Sequence, residues 1–159
     1  MRLIGPSWAK SGAALALVLA IAGSIGAHFE GQRLTAYADL GGVWTLCDGH
    51  TTGVKPGDTA TPEQCRAYLE QDMGHAYAAV NRCITADLTI AQAAAFTDAA
   101  FNLGPQVVCG STLQRMANAG DIRGACEQLT RWTYAAGQEL PGLVRRRQAE
   151  RDLCVEGLR

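Results

Sequence analysis

Glu30 and Asp39 are the two side chains whose type and spacing suggest chemistry. Splitting a glycosidic bond needs one protonated carboxyl to hand a proton to the leaving oxygen. It also needs a second carboxylate to activate water or to stabilise the oxocarbenium-like centre. Glu30 directly follows the apolar Phe29, and Asp39 lies near the tip of a proposed hairpin, so nine positions and a change of chain direction separate them. An apolar surround favours the protonated, proton-giving form of a glutamate, and a polar turn favours the ionised form of an aspartate, which divides the two roles. The spacing permits the acids to converge. Most acids are solvated surface groups, however, and this pair alone decides little.

The secondary structure around the two acids can be outlined from residue patterns. From Gly31 to His50, Leu34, Ala36, Val43 and Trp44 alternate with polar residues around Gly41-Gly42, a pattern of short strands and a hairpin turn. Thr61-Pro62-Glu63-Gln64 predicts a helix start with Thr61 as N-cap and Gln64 closing a capping box, followed by Tyr68, Leu69, Met73, Ala76, Tyr77 and Val80 at helical spacing. Thr89-Ile90-Ala91-Gln92 repeats the signature ahead of an alanine-rich helix that stops at Gly104-Pro105. Further helices are expected at 111–119, 121–136 and 141–156. A small antiparallel sheet near the N-terminus followed by helices is an α+β arrangement. Trp44 and Trp132 are expected in the core, since aromatics on amphipathic elements usually pack there. The run Arg145, Arg146, Arg147 and Arg151 is expected to form a solvated face of the last helix.

Ser11 to Ala27 is a run of 17 uncharged residues flanked by Arg2 and Lys10 on one side and His28 and Glu30 on the other. That length is at the short limit for crossing a bilayer, and the positive flank would stay inside. Six alanines, three glycines and two serines dilute its six large aliphatic residues, so it would sit weakly in lipid. A cleaved signal peptide, with Ala20-Ile21-Ala22 before the cut, fits the same composition. Only three residues lead from Ala27 to Glu30, a reach of about 10 Å if fully extended. The general acid of a membrane-spanning form would therefore be pinned at the bilayer surface. The remaining chain is acidic: two of the 14 basic residues, Arg2 and Lys10, lie before residue 28, leaving 12 against 15 acids. Such a body is a poor nucleic-acid binder.

Cys47, Cys65, Cys83, Cys109, Cys126 and Cys154 lack the close paired spacing of a zinc or redox motif and are read as disulfides, which places the folded body outside the cytoplasm. Fifteen pairings are open to six cysteines, and sequence alone does not choose among them. The pairing expected is Cys47 with Cys65, Cys83 with Cys109, and Cys126 with Cys154, which would tie sheet to helix, clip the ends of the alanine-rich helix, and join the last two helices.

The block from Phe29 to Asp39, with Gly42-Val43-Trp44-Thr45-Leu46-Cys47 and Gly49-His50-Thr51 after it, resembles the active-site block of the phage-type lysozymes. That family's order of Glu, eight residues, Asp, five residues and Thr falls on Glu30, Asp39 and Thr45. Phe101-Asn102-Leu103-Gly104, Ser111-Thr112-Leu113, Trp132 to Gly137 and Pro141 to Arg147 resemble later family segments in family order. The resemblance implies a lysozyme-like fold over residues 28–159 and a muramidase that cuts the β-1,4 bond between N-acetylmuramic acid and N-acetylglucosamine. Glu30 would be the general acid, Asp39 the carboxylate that helps place the attacking water, and Thr45 the hydroxyl that holds it. A reaction of that kind inverts the anomeric centre and expects the carboxyls roughly 6.5–9.5 Å apart. Phe101, Asn102 and Arg145 are the expected substrate-binding residues, and His50 is implied to pair with Asp72. No cofactor or metal is expected.

The weak helix within residues 1–27 is similar to the signal-anchor-release segment of some members, implying a phage- or prophage-encoded, monomeric endolysin. It would be tethered in the host inner membrane, N-terminus in the cytoplasm, then released into the periplasm onto peptidoglycan, with possible dependence on a holin. Two other functions fit parts of the pattern. A lytic transglycosylase needs one catalytic Glu and no water, and a disulfide-stapled binding protein needs neither acid.

Overall fold

The computed structural model describes residues 12–159, so Arg2, Lys10 and Ser11 lie outside the described residues. Among the described residues six α-helices and two small hairpins follow one another: α1 (Gly12–Glu30), β1 (Arg33–Ala38), β2 (Trp44–Cys47), α2 (Pro62–Cys83), α3 (Ile90–Leu103), α4 (Thr112–Asn118), α5 (Ile122–Gln128), β3 (Tyr134–Ala135), β4 (Gln138–Glu139) and α6 (Pro141–Glu156). This is the α+β arrangement expected, a small antiparallel sheet near the N-terminus followed by helices.

Helix α3 is the axis of the molecule. Both capping-box bonds at Thr89 and Gln92 are present at its start, and every residue from Gln92 to Ala100 is buried. A helix apolar on all sides needs neighbours on all sides. Its alanines let α1, α2 and α6 approach it closely. Helix α2 begins on the equivalent box at Thr61 and Gln64, with Pro62 in the first turn.

Helix α1 lies against α3 and α2 through the fully buried Val18 and Ala22, with Leu15, Leu19 and Ile21 partly covered. Gly26 is the closest approach: a Cβ there would lie 2.7 Å from Met73 Cε and 3.5 Å from both Asp98 Oδ1 and Phe101 Cε1. Residues 28–30 belong to the final turn of α1. Gly31, at φ +70, then breaks the helix in the left-handed conformation usual after a helix end.

The β1–β2 hairpin is antiparallel, pairing Tyr37 with Thr45 and Ala38 with Trp44, and residues 58–60 add backbone bonds to the free edge of β1. A small second core of Leu46, Cys47 and Cys65 holds it to α2. The three disulfides are Cys47–Cys65, Cys83–Cys109 and Cys126–Cys154, as expected.

Three sequence expectations are corrected. The helix expected at 121–136 stops at Gln128 and passes through a 3-10 turn at Leu129–Arg131. The chain then forms a hairpin, because Ala136 and Gly137 take consecutive positive φ values of 49° and 78°, the geometry of a tight primed turn. Trp44 is 37% exposed, since it stands beside the hairpin turn beyond the small second core; Trp132 does pack on the edge of the main core. Arg146 and Arg147 are buried at 2% and 0% exposure rather than solvated, because α3 and α6 bring acids to them.

Candidate active site

Asp39 is held by its own turn. Its Oδ1 accepts hydrogen bonds from the backbone N–H groups of Gly41 and Val43, each at 2.8 Å, while its N–H donates to the Val43 carbonyl at 2.9 Å. Gly42, at φ +77, allows the reversal and donates to the Asp39 carbonyl. The carboxylate is thereby fixed in direction by backbone amides and needs no distant side chain. Two residues past the turn, Thr45 is buried on β2 and its hydroxyl donates to the Val43 carbonyl at 3.0 Å.

A tight turn follows β2. Leu46 and His50 exchange both backbone bonds, at 2.8 and 2.9 Å, with Cys47 and Gly49 at φ 58° and 96° between them. The buried His50 ring stacks on Tyr68 at 4.2 Å, and its Nδ1 lies 2.8 Å from Asp72 Oδ2, the implied pair. This arrangement clamps the loop to α2 and presents Gly49 and Thr51 to a cavity of about 400 Å³. Tyr37, Asp39 and Thr45 line the cavity from the hairpin, and Phe101, Asn102, Leu103 and Gly104 from the end of α3.

A second depression, of about 260 Å³, is lined by Phe29, Asn102, Leu140, Gly142, Leu143 and Arg146. Asn102 belongs to both, so the two meet there. Glu30 is the residue after Phe29 and the last of α1, so its backbone adjoins a residue that lines the second depression. Its side chain lies outside those described, and with it the carboxyl separation expected of an inverting pair. Arg145 is exposed and lines neither depression; the neighbouring Arg146 lines the second.

Beneath the junction lies a buried charge cluster that the sequence reading missed. Arg146 donates from Nε and Nη2 to both oxygens of Asp98. Arg147 donates to Glu150, and all four side chains are at most 2% exposed. Burial, followed by a hydrogen bond with Asp98, pushes the Glu150 carboxyl well above its ordinary range, with Arg147 opposing. The Arg146 guanidinium lies 6.0 Å from the Phe29 ring centre and 5.8 Å from that of Phe101, within reach of both aromatic faces. One signal was available: Asp98 is the single charge within the apolar run from Ile90 to Phe101. Among the described residues, no group of three His, Cys, Asp or Glu side chains is placed to hold a metal ion.

The phage lysozyme family model matches residues 27–150, a span that includes Glu30, Asp39, Thr45 and the cluster. The chain is 39% identical over 145 residues to the SAR-endolysin of Enterobacteria phage P21, covering 91% of this chain and 88% of that protein. Among solved structures, the active form of the P1 phage endolysin Lyz superposes with a TM-score of 0.78 at 27% identity, covering 92% of this chain and 95% of that one. The secreted inactive form of the same enzyme reaches 0.59 at 27% identity, over 94% and 97%. A family model that spans the site and a relative matched along nearly its whole length agree with the cleft between hairpin and α3: the chain belongs to the phage lysozyme family.

Proposed function

We propose that the chain is an endolysin that hydrolyses the β-1,4 bond between N-acetylmuramic acid and N-acetylglucosamine in peptidoglycan. Glu30 is the general acid, Asp39 directs the attacking water, and Thr45 holds that water, with inversion at the anomeric carbon. Phe101 and Asn102 contact the glycan. The observation that carries this reading is the meeting of two depressions at Asn102. One holds Asp39 and Thr45, and the other is lined by Phe29, the neighbour of Glu30.

Control follows from α1. The segment Gly12–Phe29 is long and apolar enough to cross a membrane, yet here it is docked on the body. In the exported, tethered state α1 spans the inner membrane and Glu30 is held away from Asp39 and Thr45. Release lets α1 dock through Val18, Ala22 and Gly26 and completes the site in the periplasm. The higher similarity to the active than to the inactive P1 enzyme supports the docked arrangement as the working one. The segment from Gly12 to Glu30 holds no cysteine, so release proceeds by helix exit, without thiol exchange from the membrane segment.

The test is turbidity loss of chloroform-treated Gram-negative cells together with analysis of the sugar ends released. New reducing ends are expected from the wild type and none from Glu30→Gln. Anhydro ends would replace the hydrolase by a lytic transglycosylase, and full activity of Glu30→Gln would remove the acid from the scheme. Anchoring is read from the mass of the released protein, which retains residues 1–27 if the helix exits intact.

A further inference from the structure

Asp72, His75, Ala79 and Arg82 recur at helical spacing along α2 and share one face. That face is one wall of a depression of about 310 Å³, with Ala100, Phe101 and Pro105 opposite. Gly49, Thr51, Phe101 and Gly104 line both this depression and the cavity of Asp39 and Thr45, so the groove continues past the reacting centre toward Arg82. Its floor is apolar, made by the buried Ala76, Ala79 and Ala100, whereas His75 and Arg82 are exposed at the rim.

The charges along this stretch are unequal in what they have left to offer. Asp72 is engaged by His50 at 2.8 Å. The guanidinium of Arg82 has, among the described residues, a contact from Nη2 to Cys109 Sγ at 3.9 Å, and a sulfur is a weak acceptor. The adjacent Cys83–Cys109 disulfide ties the end of α2 to the chain beyond α3, so the backbone carrying Arg82 is anchored where the groove ends. On a body with more acids than bases, this is a cation held at the mouth of a sugar-sized groove with its donors directed, among the described residues, at no carboxylate.

We propose that this end of the groove binds a carboxylate of the peptide stem carried by N-acetylmuramic acid, with Arg82 as the anion-binding residue and His75 beside it. The proposal rests on the peptidoglycan reading above. Where stems are attached, the lactyl carboxyls of N-acetylmuramic acid are consumed as amides, so the free carboxylates of the polymer are on the peptides. A planar guanidinium matches a carboxylate with two parallel hydrogen bonds, which an ammonium does not reproduce. Arg82 thereby fixes the register of the stem-bearing chain relative to Asp39.

The test is a cycle of enzyme against substrate: wild type and Arg82→Gln, each on native sacculi and on sacculi whose peptide carboxylates have been amidated. A charge-assisted hydrogen bond at a rim predicts that Arg82→Gln raises the half-saturating sacculus concentration about tenfold on native sacculi, with kcat within about twofold. Amidation costs the wild type the same factor, and Arg82→Gln loses less than about twofold further, because the two changes remove one contact. Arg82→Lys recovers part of the loss on native sacculi and none on amidated ones. A general weakening of the fold would lower both substrates alike, so independent, additive losses, or no loss at all, overturn the assignment. Failure of the wild type to release reducing ends from either substrate defeats the hydrolase reading itself, and the site with it.

Discussion

Arg146 and Asp98, 48 residues apart in sequence, face each other through two hydrogen bonds of 2.9 Å, from Nε to Oδ2 and from Nη2 to Oδ1, with neither side chain more than 2% exposed. The pair sits under the junction of α1, α3 and α6, with Phe29 and Phe101 over the guanidinium. Removing Asp98 strips both bonds from a buried guanidinium that otherwise approaches Glu150 Oε1 at 3.6 Å, a weaker compensation for the buried charge. Asp98→Ala is therefore expected to cost about 3–5 kcal/mol in denaturant unfolding. It should also lower lytic activity in the fraction that remains folded, since the seat of Phe29 and hence of Glu30 is disturbed. A loss below about 1 kcal/mol would mean that the junction is not held by this pair.

Glu150 gives the stability a pH dependence of definite sign. Burial raises its carboxyl well above 4.5 in the folded protein, so the folded state keeps a proton that the unfolded chain releases. Stability from this group falls as pH rises from about 4.5 through the raised value. Glu150→Gln mimics the protonated form and removes that slope. Subtracting its denaturant stability curve from that of the wild type between pH 4 and pH 8 should show the wild type losing ground with rising pH. A difference with the opposite slope would reverse the assignment.

Asp39→Asn is expected to separate charge from structure. The amide oxygen can still accept from Gly41 and Val43, so the hairpin turn and the melting temperature should be little changed. Loss of the carboxylate should lower kcat by about 10²–10⁴, the range for a positioned acid–base group. Reducing-end release measured beside thermal unfolding checks both halves of the expectation.

The three glycines of α1 do different things. A Cβ at Gly12 or Gly23 meets nothing within 4 Å, whereas one at Gly26 runs into Met73. Gly12→Leu with Gly23→Leu should hold the protein in the membrane fraction and silence lysis, yet leave an enzyme that is active after detergent extraction. Gly26→Leu should stay inactive even after extraction, because docking of α1 is blocked. Normal lysis timing in the Gly12 and Gly23 double variant would return the segment to an ordinary signal peptide.

Cys47–Cys65 links the β1–β2 hairpin to α2 across a separation of 18 residues. Replacing both by serine removes a loop constraint of about 3 kcal/mol in the chain-entropy model. Because Thr45 lies two residues from Cys47, activity should decline at lower denaturant concentrations than the overall unfolding transition. Parallel activity and circular dichroism titrations report the two separately.

What residues 28–159 determined without tertiary structure was local. The two capping boxes, the Gly41-Gly42 turn and the proline and glycine stops depend on contacts within about four positions, so Thr61, Gln64, Thr89 and Gln92 were readable from the chain. The spacing of Glu30, Asp39 and Thr45 was readable through likeness to a family. The Ala136–Gly137 turn was local too, yet the stretch up to residue 136 was expected as helix, whereas Ala136 and Gly137 take positive φ. Tertiary structure alone decided which arginines are inside, because the acids that meet Arg146 and Arg147 include Asp98, on another helix. It also decided that Gly26 of α1 lies close to Met73, Asp98 and Phe101, that Asn102 lines both depressions, and that Arg82 lines the groove beyond them. Desolvation and proximity are properties of neighbours in space, and no periodicity along one segment encodes the identity of a neighbour contributed by another.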